Sequence, residues 1–195
     1  IHTGKEDRLW VGTQQGIQYL EHDKNNNIIQ KQLALKDEKF QKRLNQFVII
    51  SILEDSNDRL WIGTENNGLL LYHLKTQEIQ QFKYNPKENY SIQNNSIWNL
   101  FEDQQGTIWI GLFKNGINKV DPFEQKFNHI SDGPESKINL SYGLVSSFAE
   151  DQNNNLWVGT DGGGLNFIDR SQLELTIENF IPSDFSGLKS KEIVC

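Results

Sequence analysis

The chain has 195 residues, of which 36% are hydrophobic and 23% charged, so it can bury the core of a folded domain. Its formal net charge of −7, with scattered lysines, gives no basic footprint and argues against nucleic acid or an anionic membrane as a partner. The single cysteine, Cys195, excludes an internal disulfide. No apolar run approaches the ~20 residues of a membrane-spanning helix.

One pattern occurs four times along the chain, each time around a tryptophan. The copies are LWVGTQQGIQYL from Leu9, LWIGTENNGLLLYH from Leu60, IWIGLFKNGINKVD from Ile108 and LWVGTDGGGLNFID from Leu156. Their tryptophans are 51, 48 and 48 residues apart. A fixed period of this size, built from short strands and turns, predicts a β-propeller in which each unit is one blade.

Each complete unit predicts a four-stranded antiparallel meander. In the second unit an apolar, β-branched run precedes the tryptophan strand, two strand-like segments follow it, and Asn, Asp and Gly turns separate them. We therefore expect an all-β chain of propeller repeats over residues 1–195. Its units are approximately 1–45, 46–94, 95–142 and 143–192, with 193–195 beginning or closing a blade.

Three positions of the repeat have predictable structural roles. The tryptophan supplies apolar area between neighbouring blades, the glycine two residues later allows close backbone approach, and an aspartate opens the first turn and caps its amides. The first unit departs from this pattern, because Thr3-Gly4 stands where Glu-Asp stands elsewhere. The structural residues are Trp10, Trp61, Trp109, Trp157, Gly12, Gly63, Gly111, Gly159, Asp55, Asp103 and Asp151.

The two ends of the chain lie at the same position of the repeat. Ile193 and Val194 align with Ile49 and Ile50, in register with the incomplete first strand at Ile1. Two interpretations stay open. The tail closes a four-bladed ring, or the chain is an excised portion of a larger, seven-bladed propeller, within the range of about 4–8 blades per ring.

The sequence predicts no catalytic residue, no cofactor and no metal site. The acid pairs that begin at Glu54, Glu102 and Glu150 recur at one repeat position, as expected of a turn and not of a catalytic group. The four histidines do not cluster in the sequence.

Ligand contacts are expected where the units differ, in the loops after the second and fourth strands. Aromatic rings among Asn, Gln and Asp suit sugar recognition by stacking and hydroxyl hydrogen bonds, although for any single ring the anchoring of its own loop is the favoured interpretation. Trp98, outside the repeated tryptophan position, either offers a stacking platform or fills space between blades. The candidate ligand-binding residues are Trp98, Tyr90, Phe113, Lys114, Asn115, Tyr142, Asp161, Glu65 and Asn66.

Two stretches carry a family resemblance. SIQNNSIWNLFEDQQGTIWIG from Ser91, continuing into NGINKVD, and NNNLWVGTDGGGLNFID from Asn153 resemble the two-component regulator propeller repeat. The resemblance recurs in all four units. It implies the periplasmic sensor domain of a membrane-bound hybrid histidine kinase of the Bacteroidetes type. In such proteins about fourteen repeats form two seven-bladed propellers.

The resemblance further implies recognition of an oligosaccharide and signalling to a histidine kinase outside this chain. The expected partners are the oligosaccharide, the remaining blades and a second ectodomain in a homodimer, without nucleic acid or membrane contact by this segment. We do not expect the segment itself to be an enzyme. The alternatives are a protein-interaction or dimerisation scaffold without its own ligand site and, less favoured, a carbohydrate-active enzyme.

Overall fold

The computed structural model describes residues 1–120, 126–133, 138–171, 175–181 and 190–193. Within these residues, sixteen strands form four sheets of four strands each, and in every sheet neighbours in sequence are neighbours in space. The pairs with a resolved register are all antiparallel. These sheets are the four-stranded blades that the repeat predicts, and the all-β propeller fold class is confirmed.

The first two sheets are separated by one short helix. The first contains β1 (His2–Thr3), β2 (Leu9–Thr13), β3 (Gly16–His22) and β4 (Ile28–Gln32), and the second contains β5 (Ile49–Glu54), β6 (Arg59–Thr64), β7 (Leu69–His73) and β8 (Ile79–Phe82). The helix between them is α1 (Glu38–Leu44).

The third and fourth sheets repeat the same order. The third contains β9 (Ile97–Glu102), β10 (Ile108–Leu112), β11 (Ile117–Val120) and β12 (Phe127–Ile130). The fourth contains β13 (Val145–Glu150), β14 (Leu156–Thr160), β15 (Gly164–Asp169) and β16 (Thr176–Phe180).

The chain divides into two compact units, each with its own apolar cluster. The first unit comprises Ile1–Lys83 with Asn95–Leu100, and the second comprises Tyr84–Asn94 with Phe101–Cys195. The cluster of the first unit contains Trp10, Leu60, Ile62, Leu70 and Tyr72, and that of the second contains Trp109, Val145, Leu156, Val158 and Ile168. In both clusters, aliphatic side chains of the second and third strands surround a repeated tryptophan.

Two repeated glycines of the second sheet are required by their surroundings. A Cβ on Gly63 would lie 2.1 Å from Ser51 Oγ and 2.8 Å from Ile97 Cγ2, so only glycine allows this approach. Gly68 has a φ of +81° at the turn between β6 and β7, in the left-handed region that favours glycine.

The first strand of the second and fourth sheets contains a β-bulge. The pairing shifts between Ile49 and Ser51 in β5 and between Val145 and Ser147 in β13. A bulge turns the extra side chain away from the ladder. In β5 that residue is Ile50, which is 37% exposed, and Trp98 at the same repeat position of β9 is 38% exposed.

The helix α1 was not predicted, since the sequence indicates only a link there. Asp37 caps the helix by accepting hydrogen bonds from Lys39 N (2.9 Å) and Phe40 N (3.0 Å), and Leu44 is fully buried at its end. Besides the aspartate cap, the helix contains only two apolar residues, Phe40 and Leu44, which are too few to show helical periodicity in the sequence.

Of the three residues predicted to begin or close a blade, 193–195, the structure describes Ile193. Ile193 N donates to Thr160 O, and Ile193 packs on Gly159 as Ile97 packs on Gly63. The remaining two residues of that prediction, 194 and 195, lie outside the described residues, as does most of the link predicted at 182–191.

The aspartate of the repeat organises the turn between the first two strands of a sheet. In the second sheet Asp55 is fully buried, and its Oδ1 accepts from Asn57 N (2.9 Å) and Arg59 N (3.0 Å). Its Oδ2 accepts from Arg59 Nε (2.7 Å) and Trp61 Nε1 (2.8 Å). One carboxylate therefore closes the turn and fixes both the arginine and the tryptophan, as a buried charge requires.

The third sheet uses the same arrangement with an arginine from a different strand. Asp103 Oδ1 accepts from Gln105 N and Thr107 N, both at 2.9 Å. Its Oδ2 accepts from Trp109 Nε1 (2.8 Å) and forms an ion pair with Arg170 Nη2 (2.8 Å). The repeated turn is thus defined by the carboxylate and the indole, while the source of the cation varies.

Replacing Asp55 with alanine is expected to destabilise the chain strongly. The variant leaves Arg59 and the Trp61 indole buried without their acceptor, and breaking a buried ion pair costs about 3–5 kcal/mol. Urea denaturation followed by tryptophan fluorescence measures the loss. The matched control is Asp23→Ala, because Asp23 accepts the same two turn hydrogen bonds, from Asn25 N and Asn27 N, on an exposed loop. Equal losses in the two variants would contradict the assigned role of burial.

The stability of the first unit is expected to depend on the protonation of His2. Its Nε2 accepts a hydrogen bond from Glu54 N (3.0 Å), and burial lowers the pKa of His2 below its ordinary value, although the nearby Glu54 charge opposes this. The lowered pKa means that the contribution is complete above about pH 6.5, the unfolded value. It is lost as the pH falls through the folded pKa.

Thermal melts of wild type and His2→Gln between pH 8 and pH 5 measure this contribution. Glutamine keeps an acceptor for Glu54 N but does not titrate, so its melting temperature should fall less steeply below pH 6.5 than that of wild type. Parallel curves would show that His2 does not contribute to the pH dependence.

Candidate functional site

In two of the acid pairs, the glutamate links its strand to the turn of the preceding sheet. Glu150 Oε2 accepts from Gln104 N (2.9 Å), and its Oε1 accepts from Arg170 Nη1 (3.3 Å). In the same way, Glu54 Oε1 accepts from Lys5 N (3.3 Å). Both residues of these two acid pairs therefore have structural partners.

The first sheet lacks the aspartate and takes a carboxylate from the second sheet instead. Gly4 stands six residues before Trp10, as Asp55 stands before Trp61. The Trp10 indole donates to Glu54 Oε2 (2.6 Å), and a Cβ on Gly4 would lie only 2.2 Å from that same oxygen. The Glu54 carboxylate thus occupies the space that an aspartate side chain at position 4 would fill.

Glu54 provides a hydrogen-bond acceptor for the Trp10 indole but none for the arginine of the first sheet. Arg8 precedes Trp10 by two residues, as Arg59 precedes Trp61, yet its guanidinium donates no hydrogen bond to the described residues and its Nε is enclosed without a partner. Its ion pairs are long, at 3.7 Å to Glu6 and 3.9 Å to Glu21.

Two aromatic rings flank the Arg8 guanidinium. Its central carbon lies 5.3 Å from the Trp10 ring centre and 5.1 Å from that of Tyr19. The two rings are themselves in contact, with centroids 5.1 Å apart. Cation–π attraction holds the guanidinium in place, while its hydrogen-bonding capacity stays unused.

A half-open cavity of about 330 Å³ adjoins this arginine within the first unit. Its walls combine the aromatic side chains Trp10, Tyr19 and Tyr72 with charged side chains of both signs, among them Arg8, Glu54 and Asp58. The Tyr72 hydroxyl donates to Ala34 O (2.9 Å), and burial raises its pKa. The cavity is at the lower end of the size range of small-molecule sites.

The two lysines of the cavity are already paired. Lys5 Nζ and Lys75 Nζ each lie 2.7 Å from an oxygen of Asp58, and these hydrogen bonds lower the Asp58 pKa to about 2. Lys5 Nζ also donates to Ser56 O (3.0 Å). Of the three cations lining the cavity, Arg8 alone donates no hydrogen bond to a described residue.

Three of the predicted ligand-binding residues belong to the first unit. Glu65 and Asn66 are exposed in the turn between β6 and β7. Asn66 exchanges two hydrogen bonds with Ser96, from its own N to Ser96 Oγ (3.1 Å) and from Ser96 Oγ to its Oδ1 (3.0 Å). Trp98 lies on β9, at the repeat position of Ile50.

Three of the six predicted residues of the second unit, Asn115, Tyr142 and Asp161, lie on or beside turns that contact each other. Tyr142 is 47% exposed, and its ring lies against the β14–β15 turn, 3.3 Å from the position of a Cβ on Gly162, the residue after Asp161. Asn115 belongs to the β10–β11 turn, which is tied to the residue after Tyr142 by a hydrogen bond from Gly116 N to Gly143 O (2.9 Å).

The other predicted residues of the second unit have different surroundings. Lys114 Nζ lies 5.7 Å from the ring centre of Phe113, so these two neighbours contact each other at the β10–β11 turn. Tyr90 is 58% exposed and lies beside β12, where Phe127 N donates to its carbonyl oxygen (3.3 Å). The Lys126 ammonium is 6.0 Å from the Tyr90 ring centre.

The sequence interpretation did not identify the cavity beside Arg8. Its one signal was the Thr3-Gly4 departure from the repeat, which predicts a missing acceptor but not where a replacement comes from. Among the described residues, no group of three His, Cys, Asp or Glu could hold a metal ion. The same residues contain no helix with the length and apolar character needed to cross a bilayer.

The family comparison matches three segments of the chain. The two-component regulator propeller model matches residues 43–66, 91–114 and 139–162. Each segment ends shortly after the tryptophan strand of its unit, and the first unit, with Gly4, is outside all three. No curated protein matches the chain.

Solved structures share the fold at low sequence identity. The extracellular domain of the hybrid two-component system BT3049 from Bacteroides thetaiotaomicron aligns with a TM-score of 0.72 and 20% identity, over 93% of this chain and 24% of that one. PorZ, a surface component of the type-IX secretion system of Porphyromonas gingivalis, aligns with a TM-score of 0.67 and 16% identity, over 97% and 28%.

A third similar structure is an enzyme. Virginiamycin B lyase from Staphylococcus aureus aligns with a TM-score of 0.60 and 17% identity, over 92% of this chain and 54% of the lyase. The chain thus spans about a quarter to a half of the proteins that it resembles, and at these identities the likeness shows the fold alone. Three of the four-stranded blades thus contain segments that match the two-component regulator propeller repeat.

Proposed function

We propose that this chain is part of the extracytoplasmic, periplasmic sensor region of a hybrid two-component signalling protein and that it recognises an oligosaccharide. The observation that carries the sensor role is the threefold match to the two-component regulator propeller repeat. The fold shared with the extracellular domain of BT3049 supports the same role. The histidine kinase lies in another part of the parent protein.

The ligand chemistry is proposed from the second unit. There the exposed ring of Tyr142 lies beside the turn that carries Asp161 and close to the turn that carries Asn115. An exposed aromatic face next to carboxylate and amide groups suits a sugar, whose ring stacks while its hydroxyls form hydrogen bonds. Successive turns of this kind would each bind one sugar unit of the oligosaccharide.

The hydrogen bonds of the repeated carboxylates favour ligand binding over catalysis. Each oxygen of Asp55 and Asp103 already contacts two donors, by hydrogen bonds or an ion pair, and Glu150 accepts from a turn amide and an arginine. A general acid or base needs a free oxygen within reach of its substrate. The acid pairs therefore support a sensor domain and not a glycoside hydrolase.

Signalling requires that the ligand bind two states of the ectodomain with different affinity. The chain spans 24% of the BT3049 domain, and we assign the remaining blades of a seven-bladed propeller to the rest of the parent protein. A second ectodomain in a homodimer would convert a shift in packing into a signal across the membrane.

A thermal-shift screen of the chain against plant, host and microbial oligosaccharides tests this function. One glycan class should raise the melting temperature in a concentration-dependent way, because ligand at 100 times its Kd adds about 2.7 kcal/mol of stability. Tyr142→Ala should weaken that binding about two- to tenfold, the loss of one stacking contact of ~0.5–1.5 kcal/mol.

The control variant is Tyr84→Ala, because Tyr84 is 43% exposed and thus nearly as exposed as Tyr142. It should bind like wild type. A cooperative melt that no glycan moves would contradict ligand recognition by this chain and favour a scaffold. Equal binding by the two variants would instead remove Tyr142 from the site.

A further inference from the structure

We propose that the cavity beside Arg8 is a second binding site, which takes a single-ring sugar acid or a hydroxylated carboxylate of similar size. It goes beyond the oligosaccharide proposal and does not depend on it. The cavity borders Asp58, which precedes β6, and Lys75, which follows β7. The predicted ligand residues Glu65 and Asn66 are at the opposite end of these two strands.

The repeat itself shows what is missing at this site. In the second sheet one carboxylate accepts from Arg59 Nε, Trp61 Nε1 and two turn amides. In the first sheet Gly4 supplies no carboxylate, and the borrowed Glu54 accepts from Trp10 and Lys5 N but not from Arg8. Glu54 fills the carboxylate position of the first sheet without reaching Arg8, so what this sheet lacks is an acceptor for the arginine.

The guanidinium of Arg8 is suited to receive a carboxylate. It carries five N–H donors in a planar fork that matches a carboxylate, and none of them makes a hydrogen bond to the described residues. Its contacts with the Trp10 and Tyr19 rings hold it at the cavity wall, so little side-chain entropy is lost on binding.

The other charges of the cavity restrict the class of ligand. Lys5 and Lys75 are occupied by Asp58, while Glu6, Glu54 and Asp58 are acidic. A doubly charged phosphate would be repelled by three carboxylates, whereas a single carboxylate on Arg8 meets less repulsion. The acids and the Tyr72 hydroxyl can accept hydrogen bonds from sugar hydroxyls.

The size of the cavity sets the length of the ligand. About 330 Å³ accommodates one sugar ring with its substituents, but it is small for an extended oligosaccharide. The site therefore suits a monomeric acid and not the chain from which such an acid is released.

Isothermal titration of the wild-type chain with matched sugars tests the proposal. Galacturonate and glucuronate differ from galactose and glucose by a carboxylate in place of a hydroxymethyl group. At least one of the acids should bind at least tenfold more tightly than its neutral counterpart, and more tightly than inorganic phosphate. Equal affinities for acid and neutral sugar, no binding of either acid, or tighter binding of phosphate would overturn the assignment.

Two variants locate the binding. Arg8→Gln should weaken binding of the acid at least tenfold, whereas Arg43→Gln should not, although Arg43 also stacks on two rings, those of Phe40 and Phe47. Undiminished binding by Arg8→Gln would disprove the site. The Tyr142→Ala variant should bind the acid like wild type, and loss of binding there would place the acid at the loops of the second unit instead.

A double variant tests the site without removing the arginine. Gly4→Asp with Glu54→Ala keeps the net charge and rebuilds the arrangement of Asp55, with the new aspartate accepting from Trp10 and Arg8. It should melt at or above the wild-type temperature and lose binding of the acid, because its own carboxylate fills the position. A folded double variant that binds the acid like wild type would overturn the proposal.

Discussion

The structure depends on a buried carboxylate that joins a turn to the strand behind it. Asp55 and Asp103 each accept two hydrogen bonds from turn amides and one from the repeated indole, and each forms an ion pair with an arginine. A charge buried this deeply is tolerated only when it is fully hydrogen-bonded, so the turn and the tryptophan are fixed together. The indole then offers its apolar face to the core, which explains why tryptophan and aspartate recur at one spacing.

Two glutamates that precede the repeated aspartate extend this arrangement from one sheet to the next. Glu150 reaches the turn at Gln104, and Glu54 reaches the turn at Lys5, so each of these two links its own sheet to the preceding one. In a repeat protein such nearest-neighbour contacts provide much of the stability. In the first sheet the same glutamate has a second role, because Glu54 also accepts the hydrogen bond from Trp10 that an aspartate accepts in the other sheets.

The sequence predicted the blades well because the repeated residues act locally. The six-residue separation of Asp55 and Trp61, followed by a turn ending at Gly68, specifies strands and turns within a few residues of each other. The helix at Glu38–Leu44 depends on one cap and one buried leucine, a signal too short to stand out in a link. The cavity was beyond prediction because its central contact joins Trp10 to Glu54, 44 residues away.

Repetition also explains why a binding site would arise where the pattern is interrupted. Where the aspartate is present, its oxygens accept from the turn amides and the indole, and Asp55 also pairs with the adjacent Arg59. Where glycine takes its place, the tryptophan finds a substitute but Arg8 does not, and space opens beside it. An enclosed guanidinium nitrogen without an acceptor is unfavourable in the empty state. A carboxylate ligand at the terminal nitrogens of Arg8 would supply the acceptor that the described residues do not.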